Sequence, residues 1–506
     1  MHHTLIAASA VVLLAAIPAA VAQAPSQTLR IALREDPDIL DPTLARTYVG
    51  RIVFAGLCDK LFDINEKLEI VPQLATGYEW ADPKTLVLKL RDGVTFHDGE
   101  RMDAAAVKYS LERHLTLQGS FRRSEIAAID RVEAVDPLTV RIVLKAPSSP
   151  FVAQLADRAG MIVSPKAAEA AGKDFGLRPV CAGPFRFVER LPQDRIVLDR
   201  FAQYWDAGSV KVDRVVYQPI TDSSVRLANL QAGSIDLSEQ ILAPDADAVR
   251  KNPRLRLVVS DWLGYQGITI NTGNGPRAQS PLGRDARVRK AFELSLDREA
   301  LVEVVYAGLY APTAQAVPSS SPFHVPGVQP PKRDVARAKA LLKEAGFSGP
   351  VTIALTAPNN PDTRQVAEVI QSMAAEAGFD VRINVMEFAS SLQAATRGEF
   401  EAYQLAWSGR VDADGNLYSF LHSTGALNEG KYANPKVDAL LEQARVVTDV
   451  AQRRSIYEQM WQLVTQDTPI IYLWTQKNIV GMSAQVSGFR PVPDGMIRLQ
   501  GVSLGR

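Results

Sequence analysis

Three runs in the first third of the chain read as strands: Thr28–Leu33, Thr85–Leu90 and Thr139–Leu144. The last two alternate polar and apolar residues, the period of a half-buried sheet. Between them Asp103 stands where a helix N-cap belongs, ahead of Val107, Leu111 and Leu115 on one helical face. This mixed region, about 60–175, is expected to form a subdomain of its own. The second half changes period. Asp285 caps a helix with Val288, Ala291, Phe292 and Ser295 on one face, and Asp297 opens another that ends near Gly308. A local echo follows, Glu344-Ala345-Gly346-Phe347 and Glu376-Ala377-Gly378-Phe379. Each closes a helix and leads into a strand, at Val351–Leu355 and Val381–Val385. The helix between them carries Val366, Val369, Ile370 and Met373. That is one βαβ unit, whose crossover makes the two strands parallel. The pattern predicts an α/β protein with mixed sheets covered by helices.

Length and charge narrow the function. A chain of 506 residues is expected to form more than one unit. Its 56 basic and 56 acidic residues balance, which argues against nucleic acid, whose phosphates demand clustered positive charge. From Leu5 to Ala20 the chain is apolar and uncharged, then reads Ala20-Val21-Ala22-Gln23. The run is too short to span a bilayer, and the small residues fit a secretory cleavage site after Ala22. Residues 1–22 are therefore expected to be a signal peptide and the mature protein to be exported. No cysteine stands at the cut to take a lipid, so a free protein in a Gram-negative periplasm is expected. Two cysteines remain, Cys58 and Cys181. In an exported chain an even pair invites a structural disulfide; the other reading is two separate buried thiols.

Catalytic signatures are missing. His97, His114, His324 and His422 show no metal-type spacing, and neither a nucleophile elbow nor a phosphate loop occurs. Asp412-Ala413-Asp414-Gly415-Asn416 begins like a calcium loop, but Leu417 and Ser423 stand where glycine and a bidentate glutamate are needed. No catalytic residue, metal ligand or cofactor is expected.

Four segments share one order and spacing: Val71-Pro72-Gln73-Leu74-Ala75 with Lys89 to Gly99 and Asp103 to Val107; Ala182-Gly183-Pro184-Phe185; Pro281 through Ala291 to Leu296-Asp297-Arg298-Glu299; and Asp334 to Gly346. Together they resemble bacterial extracellular solute-binding proteins of family 5, the dipeptide and oligopeptide class. The resemblance implies a two-lobed, type II periplasmic binding protein with an extra subdomain in lobe one. Lobe one would take residues 23–267, lobe two 268–480, and 481–506 would return to lobe one. A small-molecule or short-peptide ligand is enclosed as the lobes close, and ABC importer permease subunits recognise the closed state. A monomer is expected. Other cargoes of the class stay open: glutathione-like molecules, opines, oligosaccharides or a metal chelate. An exported hydrolase or chaperone on the same scaffold is the remaining alternative.

The resemblance places Trp407-Ser408-Gly409-Arg410-Val411-Asp412 in the pocket wall. Trp407 offers a rigid surface, and Gly409 lets backbone approach a ligand closely. Peptide binders of the class keep an aspartate three residues after that tryptophan for the peptide ammonium; this chain has Arg410. Either Arg410 grips an anionic ligand group, or Asp412 or Asp414 neutralises it from the same face of an extended segment. Tyr48, Tyr265 and Asn271 are further pocket candidates.

Overall fold

The structure is a computed structural model describing residues 27–505; the expected signal peptide 1–22 lies outside the described residues. Two mixed sheets form the body. The first holds seven strands in the order Leu255–Asp261, Lys477–Ser483, Leu237–Ser238, Thr28–Leu33, Arg214–Pro219, Arg195–Arg200, Phe185–Leu191. Thr28–Leu33 runs parallel to both neighbours, with Ile31 opposite Tyr217 on one side and Leu237 on the other.

The second sheet orders six strands as Ala311–Pro312, Ile470–Thr475, Tyr265–Ile270, Ala402–Trp407, Val351–Pro358, Phe379–Met386. The expected βαβ unit is its edge. Val351–Pro358 and Phe379–Met386 pair in parallel, and the helix Pro361–Glu376 between them buries Val366, Ala367, Ile370 and Ala374. Gly346 and Gly378 end the two echoing helices with φ of 92° and 96°, a conformation that costs glycine little.

A separate antiparallel sheet of Ala75–Asp82, Thr85–Leu90, Thr139–Leu144 and Ile129–Asp136 packs on the helix Ala104–Thr116. Asp103 caps that helix by accepting from Ala106 N, as its sequence position predicts. Leu86, Leu88, Val107, Leu111, Val140 and Ile142 close a core of their own there, fully shielded from solvent.

The chain leaves the first sheet through Trp262–Gly264 and returns through Gln476. Expected crossings at 267/268 and 480/481 would cut two strands. Hydrogen bonding instead pairs each over its full length, Tyr265 with Trp407 and Lys477 with Asp261, which shifts both crossings a few residues earlier. After Ser483 the chain stays with the first lobe, where Val486, Met496, Ile497 and Leu499 are core residues. Cys58, at the end of the helix Tyr48–Leu57, is bonded to Cys181 with their Cα atoms 4.9 Å apart, so the disulfide is the arrangement found.

Candidate functional site

The strand ends of the two sheets face each other across a cavity of about 1130 Å³, measured out to its mouth. Arg34 and Glu35 follow the strand Thr28–Leu33, Thr221 follows Arg214–Pro219, and Gln240 follows Leu237–Ser238. From the other lobe come Asn360, Asp362 and Thr363, just after Val351–Pro358, and Phe388 after Phe379–Met386. Crevices beyond the carboxyl ends of parallel strands are where open α/β sheets bind ligands. The crossings supply the floor: Trp262, Gln266 and Gln476 line it, and Gln266 Nε2 donates to Gln476 Oε1 at 3.3 Å.

Of the residues expected in the pocket, Tyr48, Trp407 and Ser408 line this cavity. Tyr48 opens its helix after the Thr47 cap, donates its hydroxyl to Gly495 O at 2.8 Å, and carries the Arg34 guanidinium 4.8 Å from its ring centre. Trp407 is held by its Nε1 donating to Asn416 Oδ1 at 2.8 Å and by the edge of Phe420. Gly409 does serve a close backbone approach, but to the hinge. Its φ is +79°, and a Cβ there would lie 2.2 Å from the carbonyl carbon of Leu263. Tyr265 and Asn271 lie outside the cavity lining. Tyr265 packs against Tyr472 and Phe420, and Asn271 is fully buried, donating to Asn274 O and Phe400 O.

Arg410 stands just behind the wall. Its guanidinium stacks 4.2 Å from the Trp407 ring centre, donates to Gly409 O at 2.7 Å, and reaches Asp157 Oδ2 of the opposite lobe at 3.1 Å through Nε. Neither neighbouring acid neutralises it. Asp412 takes a bidentate grip from Arg453 and Asp414 one from Arg445. The segment is not extended: the helix Asp414–Leu421 begins here and turns both acids toward helix partners. Asp157 also binds Arg51, whose other arm donates to Ser408 Oγ at 3.0 Å. Arg410, Arg51 and Arg158 hold the Asp157 carboxyl well below the usual range despite its burial. Burial and repulsion from Arg51 draw the Arg410 guanidinium down to about 10, against the pull of Asp157.

This wall is one of several joints between the lobes. Arg46 is ion-paired with Glu429 and donates to Thr396 Oγ1, Gln154 Nε2 donates to Asp414 Oδ2 at 2.8 Å, and Ser149 N donates to Arg445 O at 2.8 Å. The lobes are closed on one another.

Sequence reasoning missed the polar half of the cavity. Glu35 and Asp362 have no hydrogen bond or ion pair from their carboxylates among the described residues. Burial pushes the Glu35 carboxyl up to about 7; Arg34 opposes this, and Glu239, Asp38 and Glu387 add to it. Trp262 Nε1 and Gln404 Oε1 are buried on lining residues without a protein partner. Each such group costs about 1–3 kcal/mol until something meets it. Their shared signal is position: Glu35 and Asp362 each follow the carboxyl end of a parallel strand.

Comparison with known proteins agrees with this geometry. Residues 69–428 match the family model for bacterial extracellular solute-binding proteins, family 5 Middle. The glutathione-binding protein GsiB of Pectobacterium atrosepticum is 31% identical over 479 residues, 92% of each chain. Among solved structures, the binding protein AgaA of A. tumefaciens R10, in complex with agropinic acid, superposes with a TM-score of 0.87 at 26% identity, covering 95% of this chain and 99% of that one. The murein tripeptide binding protein MppA of Escherichia coli shares the fold at a TM-score of 0.88 and 24% identity, over 96% and 99% of the two chains. The chain belongs to the bacterial extracellular solute-binding proteins of family 5, the two-lobed solute-binding components of ABC importers.

Proposed function

We propose that this protein captures a short peptide or peptide-like molecule in the periplasm and hands it to the permease of an ABC importer. The observation that carries the reading is the cavity closed between the lobes, with aromatic walls from Tyr48, Trp262, Tyr306 and Trp407, charges of both signs, and buried polar atoms awaiting partners. A peptide offers matching features, backbone donors and acceptors and two charged ends, whereas a purely apolar ligand would leave the cavity's polar groups unmet. Trp407, Ser408 and Tyr48 are the proposed direct contacts, and Gly409, Arg410 and Asp412 the segment that sets the wall. No bond-making chemistry is invoked. GsiB and AgaA are named for glutathione and crystallised with agropinic acid, and both ligands pair a carboxylate with other polar groups. The location rests on the apolar segment ending at Ala22.

The test is to isolate the protein from the periplasm of its expression host, sequence its N-terminus, and identify the carried molecule by native mass spectrometry. Gln23 as first residue and a peptide-like mass support the proposal. A sugar or a metal chelate as cargo, or an uncleaved Met1, overturns the corresponding part.

A further inference from the structure

The cavity lining carries three guanidiniums, Arg34, Arg46 and Arg226, and two carboxylates, Glu35 and Asp362, with Arg46 already ion-paired to Glu429. On the side where the first-lobe strand Thr28–Leu33 ends, Glu35, Glu239 and Asp362 surround Arg34. Arg226 is the second cation nearby; its Nη1 donates to the backbone carbonyls of Ile220 and Thr221, while its buried Nε has no protein partner. Three carboxylates thus meet two guanidiniums, and Asp38 and Glu387 add two more acids that act on Glu35. Asp38 is occupied in capping, accepting from Arg46 N and Thr47, and Glu387 caps its own helix at Ala389 and Ser390. Glu239 accepts from Arg34 N and stands 3.6 Å from Arg34 Nε. Glu35 and Asp362 are left: half-buried, on opposite lobes, with no cation of their own within ion-pair distance among the described residues. Arg34 is the cation whose charge both acids feel, and it is shared with Glu239, so closure gathers three carboxylates around one guanidinium.

We infer that Glu35 and Asp362 form the receiving site for a cationic group of the ligand, an ammonium or guanidinium, which joins the lobes by neutralising both. This rests on the solute-capture reading above and deepens it. Without a further cation Arg34 is divided among three carboxylates; with one, Glu35 and Asp362 gain a shared attraction that exists only when the lobes are closed. A ligand can only shift an open–closed equilibrium through such differential interaction. The site therefore selects for a positively charged group and makes closure conditional on it. Because the Glu35 carboxyl sits near 7, affinity for a cation should also rise as pH increases from 6 to 8 and Glu35 ionises. Burial sets that midpoint first, and the charged groups acting on Glu35 are Arg34, which opposes the shift, and Glu239, Asp38 and Glu387, which add to it.

The experiment is calorimetric titration of the mature protein with matched probes: dialanine, trialanine and glutathione, each with a free and an N-acetylated amine, together with the non-peptide amines putrescine and agmatine. Free-amine probes should bind at least tenfold more tightly than their acetylated partners. Glu35→Gln and Asp362→Asn should each erase most of that preference. Glu35→Gln should also melt no lower than wild type when ligand-free, since it removes an unpaired carboxylate; a residue kept for structure would melt lower. If only the non-peptide amines bind, and the variants lose them, the cation site stands and the peptide reading falls. If acetylated and free peptides bind alike, or the variants keep the preference, the cation site falls and the peptide reading stands. A panel with no amine-bearing binder overturns the inference.

Discussion

Removing Arg410 tests whether the wall behind Trp407 acts as a latch between the lobes. Its Nε lies 3.1 Å from Asp157 Oδ2, across the cleft, with both groups about nine-tenths shielded from solvent. Close charge pairs of this kind give coupling of about 1.5–7 kcal/mol in double-mutant cycles. Two features place this one near the low end. Asp157 keeps Arg51 and the Arg158 backbone N–H when Arg410 goes, and Arg410 is itself repelled by Arg51. About 2 kcal/mol of closure energy is then lost in Arg410→Ala, which is roughly thirtyfold in apparent affinity. Asp157→Asn should cost more, about 3–5 kcal/mol, because it leaves several buried guanidiniums uncompensated. The pair made in the closed state alone should show coupling in the double mutant when ligand binding is measured, and little when the melting of the ligand-free protein is measured. Calorimetry on the two single variants and the double variant, against ligands with and without a carboxylate, decides the matter. A latch weakens every ligand by the same factor. A loss confined to carboxylate-bearing ligands would instead assign Arg410 to ligand contact, and an unchanged affinity, or additive single and double losses, would refute the latch.

Three further outcomes follow from buried features of the fold. Gly409→Ala forces a Cβ against the Leu263 backbone at a positive φ, and should cost about 1–3 kcal/mol of stability along with ligand affinity; a neutral variant in thermal melts would contradict the close hinge approach. Cys58→Ser should lose about 2–5 kcal/mol, read as a lower melting temperature that reductant no longer changes; a wild-type protein indifferent to reductant during unfolding would count against the bond's contribution. Asp59 accepts from Tyr204, Trp205 and Gln73, and burial pushes its carboxyl up to about 7. The folded protein therefore holds a proton there that the unfolded chain has released, so stability should fall as pH rises from about 4 to 7. In Asp59→Asn the melting temperature should lose that downward slope, and an identical slope in both proteins would remove Asp59 from the account.

What the sequence displayed and what it hid divide along the range of the interactions. Asp103, Asp285 and Asp297 cap the helices they precede, and the echo ending in Gly346 and Gly378 marks a true βαβ unit, because caps and periodicity act within a few residues. Trp407 and Ser408 were legible through family resemblance, which carries a position in the fold that no local pattern encodes. The partners of Arg410 were not legible. Asp412 and Asp414 looked available only on the premise of extended backbone, and the helix starting at Asp414 gives them to Arg453 and Arg445 instead. The acid that does meet Arg410 is Asp157, far away in the chain and on the other lobe. Glu35 and Asp362 were hidden for the same reason, since each is an ordinary polar residue after a strand until closure sets them on one cavity. This pattern has a physical cause. A protein that signals by closing gains from charges left incompletely matched within a lobe, so that part of their energy is realised between lobes. Asp157 keeps Arg51 in its own lobe and adds Arg410 across the cleft. The cross-lobe half of such a pairing leaves no local signature, and for Glu35 and Asp362 the position after a strand end facing the cleft is the one local clue.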